Sequence, residues 1–185
     1  MAVNINSVYQ KVLAIANKEQ RGYITPQEFN LLADRAQNEI YENYFHQARN
    51  SNAKIKDDDT HTDTLDMIEA KLSPFFKIES NTNIASSIMT LPTDLYKLVS
   101  IVVGSGLATE LNREEALRVS SLIGLSSVLA PTTSRPIFER RSATTVRINP
   151  DPGNGSICSV SYYKTPTTPN WGYVVVNEKA LYNSN

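Results

Sequence analysis

The sequence predicts an α+β protein: a helical N-terminal part of about three helices, then a small, mostly antiparallel β module with one inserted short helix. Three observations carry that prediction. Apolar residues recur at helical spacing through the first third of the chain, with explicit start signals. After Ser73-Pro74 the apolar period drops to two. Two runs of strand-forming residues then flank a connector, residues 149–155, in which every residue favours a turn. The expected boundary falls near residue 73, with residues 1–73 helical and 74–185 forming the β module, or both making one continuous domain.

Asn6 or Ser7 can cap the first helix, which carries Val8, Val12 and Ile15 on one stripe and Tyr9, Leu13 and Ala16 beside it. It should end near Lys18, with Gly22 making the break. The second helix has the clearest start. Thr25 is the N-cap, Pro26 takes the first helical position, and Glu28 completes a T-x-x-E capping box. Ile24 and Phe29 flank the cap as a hydrophobic staple. Phe29, Leu32, Ala33, Ala36, Ile40 and Tyr44 then mark the expected buried face as far as about Ala48. Residues 49–60 are polar and charge-clustered, which predicts an exposed loop. Leu65, Ile68 and Leu72 predict a third helix over about 63–72, stopped by Ser73-Pro74.

Residues 75–78 and 85–91 read as short strands, Pro92-Thr93-Asp94-Leu95 as a turn, and 96–103 as a central strand with few polar interruptions. Asn112-x-x-Glu115 is a second capping box, opening a short helix over about 113–122. A Gly/Ser/Thr/Pro connector occupies 123–134, and 136–140 is another strand. Val146 and Ile148 then alternate with Thr145 and Arg147, and Cys158, Val160 and Tyr162 with Ser159 and Ser161. This predicts a hairpin over 145–164 with one buried and one wet face. Residues 171–176 form a last apolar segment.

Composition narrows the function classes. Hydrophobic content of 41% and charged content of 20% describe a globular chain rather than a disordered one. The longest apolar run, residues 12–16, is too short to span a bilayer, and the N-terminus lacks the basic start and apolar core of a signal peptide. A net charge of −1 argues against a dedicated binder of nucleic-acid phosphates. The lone Cys158 excludes an internal disulfide, suits a reducing compartment and reads as a small buried apolar group.

Candidate chemistry is sparse. Asp57, Asp58, Asp59, His61 and Asp63 resemble a metal cluster, yet a calcium loop counted from Asp57 would need Gly where Thr62 stands and a carboxylate where Ile68 stands. The stretch therefore reads as a solvated acidic loop. Gly104-Ser105-Gly106 follows a strand, but Thr109 occupies the third glycine position, so it reads as a flexible loop. There is no G-x-S-x-G and no P-loop, and His46 and His61 both fall in the helical part. Asn154-Gly155-Ser156 matches a glycosylation sequon but reads as a turn. Arg140 and Arg141, with Arg147, offer a basic patch whose default reading is a solvated strand face. Trp171 and Tyr173 are either interface anchors or, for Trp171, a plug of the β core. The candidate interface residues are thus Trp171, Tyr173, Arg140, Arg141, Lys56, Asp57, Asp58 and Asp59. No catalytic, cofactor-binding or metal-binding residue is assigned, and the chain reads as a non-enzyme.

Several segments together resemble the head–tail connector (adaptor or ring) proteins of short-tailed bacteriophages. They are Leu91-Pro92-Thr93-Asp94-Leu95-Tyr96-Lys97-Leu98, Arg135-Pro136-Ile137-Phe138, Val146-Arg147-Ile148-Asn149-Pro150-Asp151-Pro152 and Val160-Ser161-Tyr162-Tyr163-Lys164-Thr165-Pro166. Pro169-Asn170-Trp171-Gly172-Tyr173 and Tyr23-Ile24-Thr25-Pro26-Gln27-Glu28-Phe29 are similar to virion proteins of crAss-like phages. The resemblance implies a structural virion protein at the head–tail junction, assembled in the host cytoplasm. It implies a homo-oligomeric ring, usually of twelve copies, that extends the portal channel. Its partners would be the portal protein, tail components and other ring proteins, with no cofactor and no membrane. Genomic DNA would pass through the lumen without sequence-specific binding, which favours a near-neutral or acidic lining, with the acidic loop as a candidate for it. Such adaptors often continue into a C-terminal helix that grips the portal. This sequence ends at Tyr182-Asn183-Ser184-Asn185, so docking would use other segments or a tail beyond them. The alternatives are another virion part, such as a tail hub, capsid-associated or receptor-binding protein, or a β module that binds a small ligand or carbohydrate.

Overall fold

A computed structural model describes residues 3–18, 24–54, 60–81, 84–104, 106–121, 130–153 and 156–183. The architecture is α+β, with helices first and a mostly antiparallel sheet after them. By contacts the chain divides into a helical unit, Met1–Ala70 with Pro166–Asn185, and a sheet unit, Lys71–Thr165. Residues 166–185 group with the helices and not with the sheet.

In the helical unit, α1 spans Ile5–Lys18, α2 Pro26–Lys54 and α3 Thr60–Leu72, whose last two residues belong to the sheet unit. Asn4, two residues earlier than expected, caps α1: its side chain accepts from Asn6 N at 2.9 Å and its carbonyl from Ser7 N at 3.1 Å. The capping box of α2 is closed, with Thr25 N donating to Glu28 Oε2 at 2.9 Å and Glu28 N to Thr25 Oγ1 at 3.3 Å. The backbone hydrogen bond from Thr25, and then its hydroxyl, hold the Glu28 carboxyl below its ordinary value. Two expectations fail here. The loop expected over 49–60 is helical at 49–54 and again from Thr60, while 55–59 lie outside the described residues. Leu32, Ala36 and Ile40, expected inside, are exposed, and Tyr41 is buried instead. The periodicity is genuine, but it does not reveal which arc of so long a helix is covered in one chain. No helix among the described residues is long and apolar enough to cross a membrane.

The sheet unit holds β1 (Phe76–Asn81), β2 (Ile84–Ala85), β3 (Ile88–Thr90), β4 (Leu95–Val103), β5 (Gly106–Leu111), α4 (Arg113–Ser120), β6 (Ile137–Arg140), β7 (Thr145–Asn149) and β8 (Cys158–Lys164). The strands make one eight-stranded sheet in the order β1-β8-β4-β5-β6-β7-β3-β2, larger than the small module expected. All pairs are antiparallel except β5·β6, whose crossover carries α4. Asn112 caps α4, accepting from Glu115 N at 2.9 Å, and the helix packs on β5 and β6. Gly104 and Gly106 do not lie in a free loop: Val103 pairs with Gly106, and Gly104, at φ +58°, stands at the turn between β4 and β5. The strand β5 had no counterpart in the sequence reading.

The main correction concerns residues 145–164. β7 and β8 are strands, yet they do not form a hairpin: β7 lies between β6 and β3, and β8 between β1 and β4. The connector keeps its local turn, with Gly153 N donating to Asp151 Oδ1 at 2.9 Å, but it carries the chain past three intervening strands. Alternation records which face a residue takes, not which strand it pairs with. The faces come out right. Val146 and Ile148 share one core with Cys158, Val160 and Tyr162, all fully buried, joined by Ile101, Phe138 and Met89. β4 is central as expected, but Tyr96 and Val99, at its two register shifts, are exposed.

Two further strands, β9 (Tyr173–Val176) and β10 (Lys179–Tyr182), form a separate hairpin that belongs to the helical unit. Asn177 and Glu178 take positive φ at its turn, the geometry of a two-residue hairpin loop.

Candidate interaction surfaces

Trp171 sits at the centre of the helical unit and is 2% exposed. Its ring lies 4.2 Å from that of Tyr9 and stacks on Tyr173 at 5.8 Å, while Tyr9 meets Phe29 edge-on at 4.9 Å. Several polar atoms of this seat are paired with one another. The indole Nε1 donates to Asn6 Oδ1 at 3.1 Å, and Tyr9 donates to the carbonyl of Ile24 at 3.2 Å. Asn30 holds the irregular segment before β9 by two bonds: its Oδ1 accepts from Trp171 N at 2.7 Å and its Nδ2 donates to Asn170 Oδ1 at 3.0 Å. Gln37, two turns along α2, donates to the carbonyl of Thr167 at 2.9 Å. Trp171 is therefore a core plug, but of the helical unit and not of the sheet. Tyr173 packs on the same core.

Arg141 is half exposed and donates from Nε to Glu139 Oε1 at 2.8 Å, neutralising a carboxylate that is itself buried. Arg140, the next residue toward the loop, is exposed. Arg147 stands opposite Glu139 in the β6·β7 register. The expected basic patch thus contains a buried acid. Lys56, Asp57, Asp58 and Asp59 lie outside the described residues. Among the described residues no group of three or more His, Cys, Asp or Glu could hold a metal ion.

A polar cluster that sequence reasoning missed lies where β1 and β8 pair. The Tyr162 hydroxyl donates toward Asp94 Oδ1 at 2.8 Å and Glu79 Oε2 at 3.1 Å, and Lys77 Nζ lies 3.2 Å from Glu79 and 3.7 Å from Asp94. Burial, with Asp94 beside it, pushes the hydroxyl up to about 12, and the Tyr162 and Glu79 contacts push Lys77 up too. Both shifts move away from neutrality, opposite to what proton transfer at pH 7 requires. The cluster is a clamp. Lys77 and Glu79, two apart on one strand, were its only signal in the sequence, and their partners depend on pairing that the hairpin reading misplaced.

A tyrosine whose ionisation is suppressed by folding stabilises the fold below pH 10, and that contribution disappears as the pH rises to about 12. Denaturant unfolding between pH 9 and pH 12 is expected to show this loss, and Tyr162→Phe to flatten it. At pH 7 the same substitution should cost about 1 kcal/mol, because the carboxylate partners are open to solvent. An unchanged pH slope in Tyr162→Phe would show that the hydroxyl is not the titrating group.

A groove of about 450 Å³ opens in the sheet unit between Val103, Gly104, Pro136, Pro150, Pro152 and Ile157, with hydroxyls from Thr133, Ser134 and Ser156. Neighbouring Asn149 is buried, and its Nδ2 has no hydrogen-bond partner.

The remaining candidates are apolar surfaces. The outer face of the sheet carries Phe76 and Ile78 on β1 and Leu107 on β5, with Ile78 63% exposed, and Val99 is exposed at an irregularity of β4. In the helical unit Leu31, Leu32 and Ile40 are exposed on α2, as are Val174, Val175, Val176 and Leu181 on the hairpin. No protein-family model matches the chain, and no curated protein matches it. Its function is therefore argued from these surfaces and from the residues that carry the resemblance. Isolated exposed apolar residues need no explanation, but runs of them on both units of one chain do.

Proposed function

We propose that the protein is a structural subunit of a homo-oligomeric ring at the head–tail junction of a short-tailed, crAss-like bacteriophage, extending the portal channel and docking tail components. The resemblance of its segments supplies the identity. The observation that supports a subunit, as opposed to a solitary molecule, is the apolar surface left open on each unit: Phe76, Ile78, Val99 and Leu107 on the sheet, and Leu31, Leu32, Ile40 and three consecutive valines on the helical unit. A ring subunit meets its neighbours through two different faces, so each copy must carry two complementary patches. The carbohydrate-binding alternative would rely on Trp171 and Tyr173, whose rings are committed to the core of the helical unit. Electron microscopy of the purified protein, alone and with its cognate portal, tests the proposal. Twelve-fold rings under the portal are the expected result. A trimer would favour a receptor-binding subunit, and a monomer that ignores the portal would end the proposal.

A further inference from the structure

Strand β1 is the edge of the sheet, hydrogen-bonded to β8 on one side only among the described residues. Natural sheets blunt such edges with proline, bulges or charged side chains. β1 has neither proline nor bulge, and its two charges, Lys77 and Glu79, are paired with each other on the side of Tyr162 and Val160. Its six residues, FKIESN, contain no proline, and the β1·β8 register runs without a shift. Its one lysine, Lys77, is drawn into the clamp with Glu79 and Asp94. On the opposite face of the strand this edge carries exposed Ile78 and Phe76.

The terminal hairpin presents the matching feature. β9 pairs with β10 alone, and a two-stranded hairpin is marginal by itself. Tyr173 and Ala180 pack inward, but Val174, Val175 and Val176 are all exposed, so both faces of β9 are apolar. β-branched residues favour pairing as strands. The two units also differ in the sign of their net charge. The helical unit, with residues 1–70 and 166–185, holds 8 Lys and Arg against 12 Asp and Glu, a net of −4, and the sheet unit holds 10 against 7, a net of +3. Opposite charges steer unlike units of two copies together and disfavour like with like.

We infer that the open edge of β1 in one copy receives strand β9 of the next copy, extending the eight-stranded sheet across the subunit boundary. The contact is head-to-tail: the sheet unit of one copy takes the hairpin of its neighbour, and its own hairpin goes to the copy after. The inference rests on the ring reading and specifies its interface.

Short-span bismaleimide cross-linking tests it, because the only native cysteine, Cys158, is fully buried and leaves the parent protein blank. Full-length Ile78→Cys and a mass-tagged Val175→Cys are mixed under the conditions used for imaging. Heterodimer is the expected main product, absent when Leu117→Cys, on α4, replaces Ile78→Cys. Ile78→Lys should abolish assembly with its unfolding midpoint unchanged. Rings without the 78–175 product overturn this interface and leave the ring reading standing. Ile78→Cys linking to itself would mean like edges pair, and also overturns it. Absence of any assembly, with or without portal, removes both.

Discussion

Replacing Trp171 with alanine is expected to destabilise the helical unit by about 3–5 kcal/mol, the range for truncating a large buried aromatic. The indole touches Tyr9, Tyr173 and Tyr182, with ring centroids 4.2, 5.8 and 5.7 Å away, and its loss leaves the inner surface of α1 and α2 facing a void. The Oδ1 of Asn6 also loses the indole donor. Trp171→Phe should recover much of the loss, since it keeps an aromatic face for Tyr9 but not the hydrogen bond. Far-UV circular dichroism reads the helices, and amide hydrogen exchange on β4 and β8 follows the sheet unit, which should keep its own transition. A loss below about 1 kcal/mol in Trp171→Ala would mean that the indole does not hold this core together.

Gly106→Ala should be the most damaging single-methyl change in the sheet unit. A Cβ at Gly106 would stand 2.7 Å from Cδ of Pro136 and 2.8 Å from the carbonyl oxygen of Thr133. Neither atom is the free end of a side chain. One belongs to a ring that is itself fully buried, the other to backbone, so the 132–136 turn must move off β5. Overpacking of this kind costs about 1–3 kcal/mol. Gly104→Ala is the internal comparison. Nothing lies within 4 Å of its Cβ position, and its cost comes only from φ +58°, about 1 kcal/mol. Equal midpoints for the two variants in urea unfolding would contradict the close approach at Gly106.

Local chemistry was legible where the determinants are near in sequence. The capping box at Thr25, the cap at Asn112, the staple of Ile24 and Phe29, and the inward set Val146, Ile148, Cys158, Val160 and Tyr162 each follow from neighbours within a few residues. What escaped depends on partners far along the chain. The strand after the Asn149–Ser156 connector could pair with the preceding strand or with one made sixty residues earlier, and both satisfy the same alternation. The clamp at Tyr162 required knowing that β1 lies beside β8. Trp171 was recognised as the notable aromatic, but its seat among helices rests on Asn6 and Asn30, polar residues whose contacts with it span 165 and 141 positions. The exposed arc of α2 was invisible for another reason. An apolar stripe looks the same whether its own chain or another molecule covers it.

The helical unit is assembled from the two ends of the sequence, and this has a consequence for synthesis. A ribosome releases α1 and α2 early, then makes the whole eight-stranded sheet before Trp171 emerges. Until then Tyr9 and Phe29 have no indole to close on, and nascent chains carry an unfinished apolar cleft during much of translation. The sheet, complete at Lys164, is free to fold before the last twenty residues of the chain have been made.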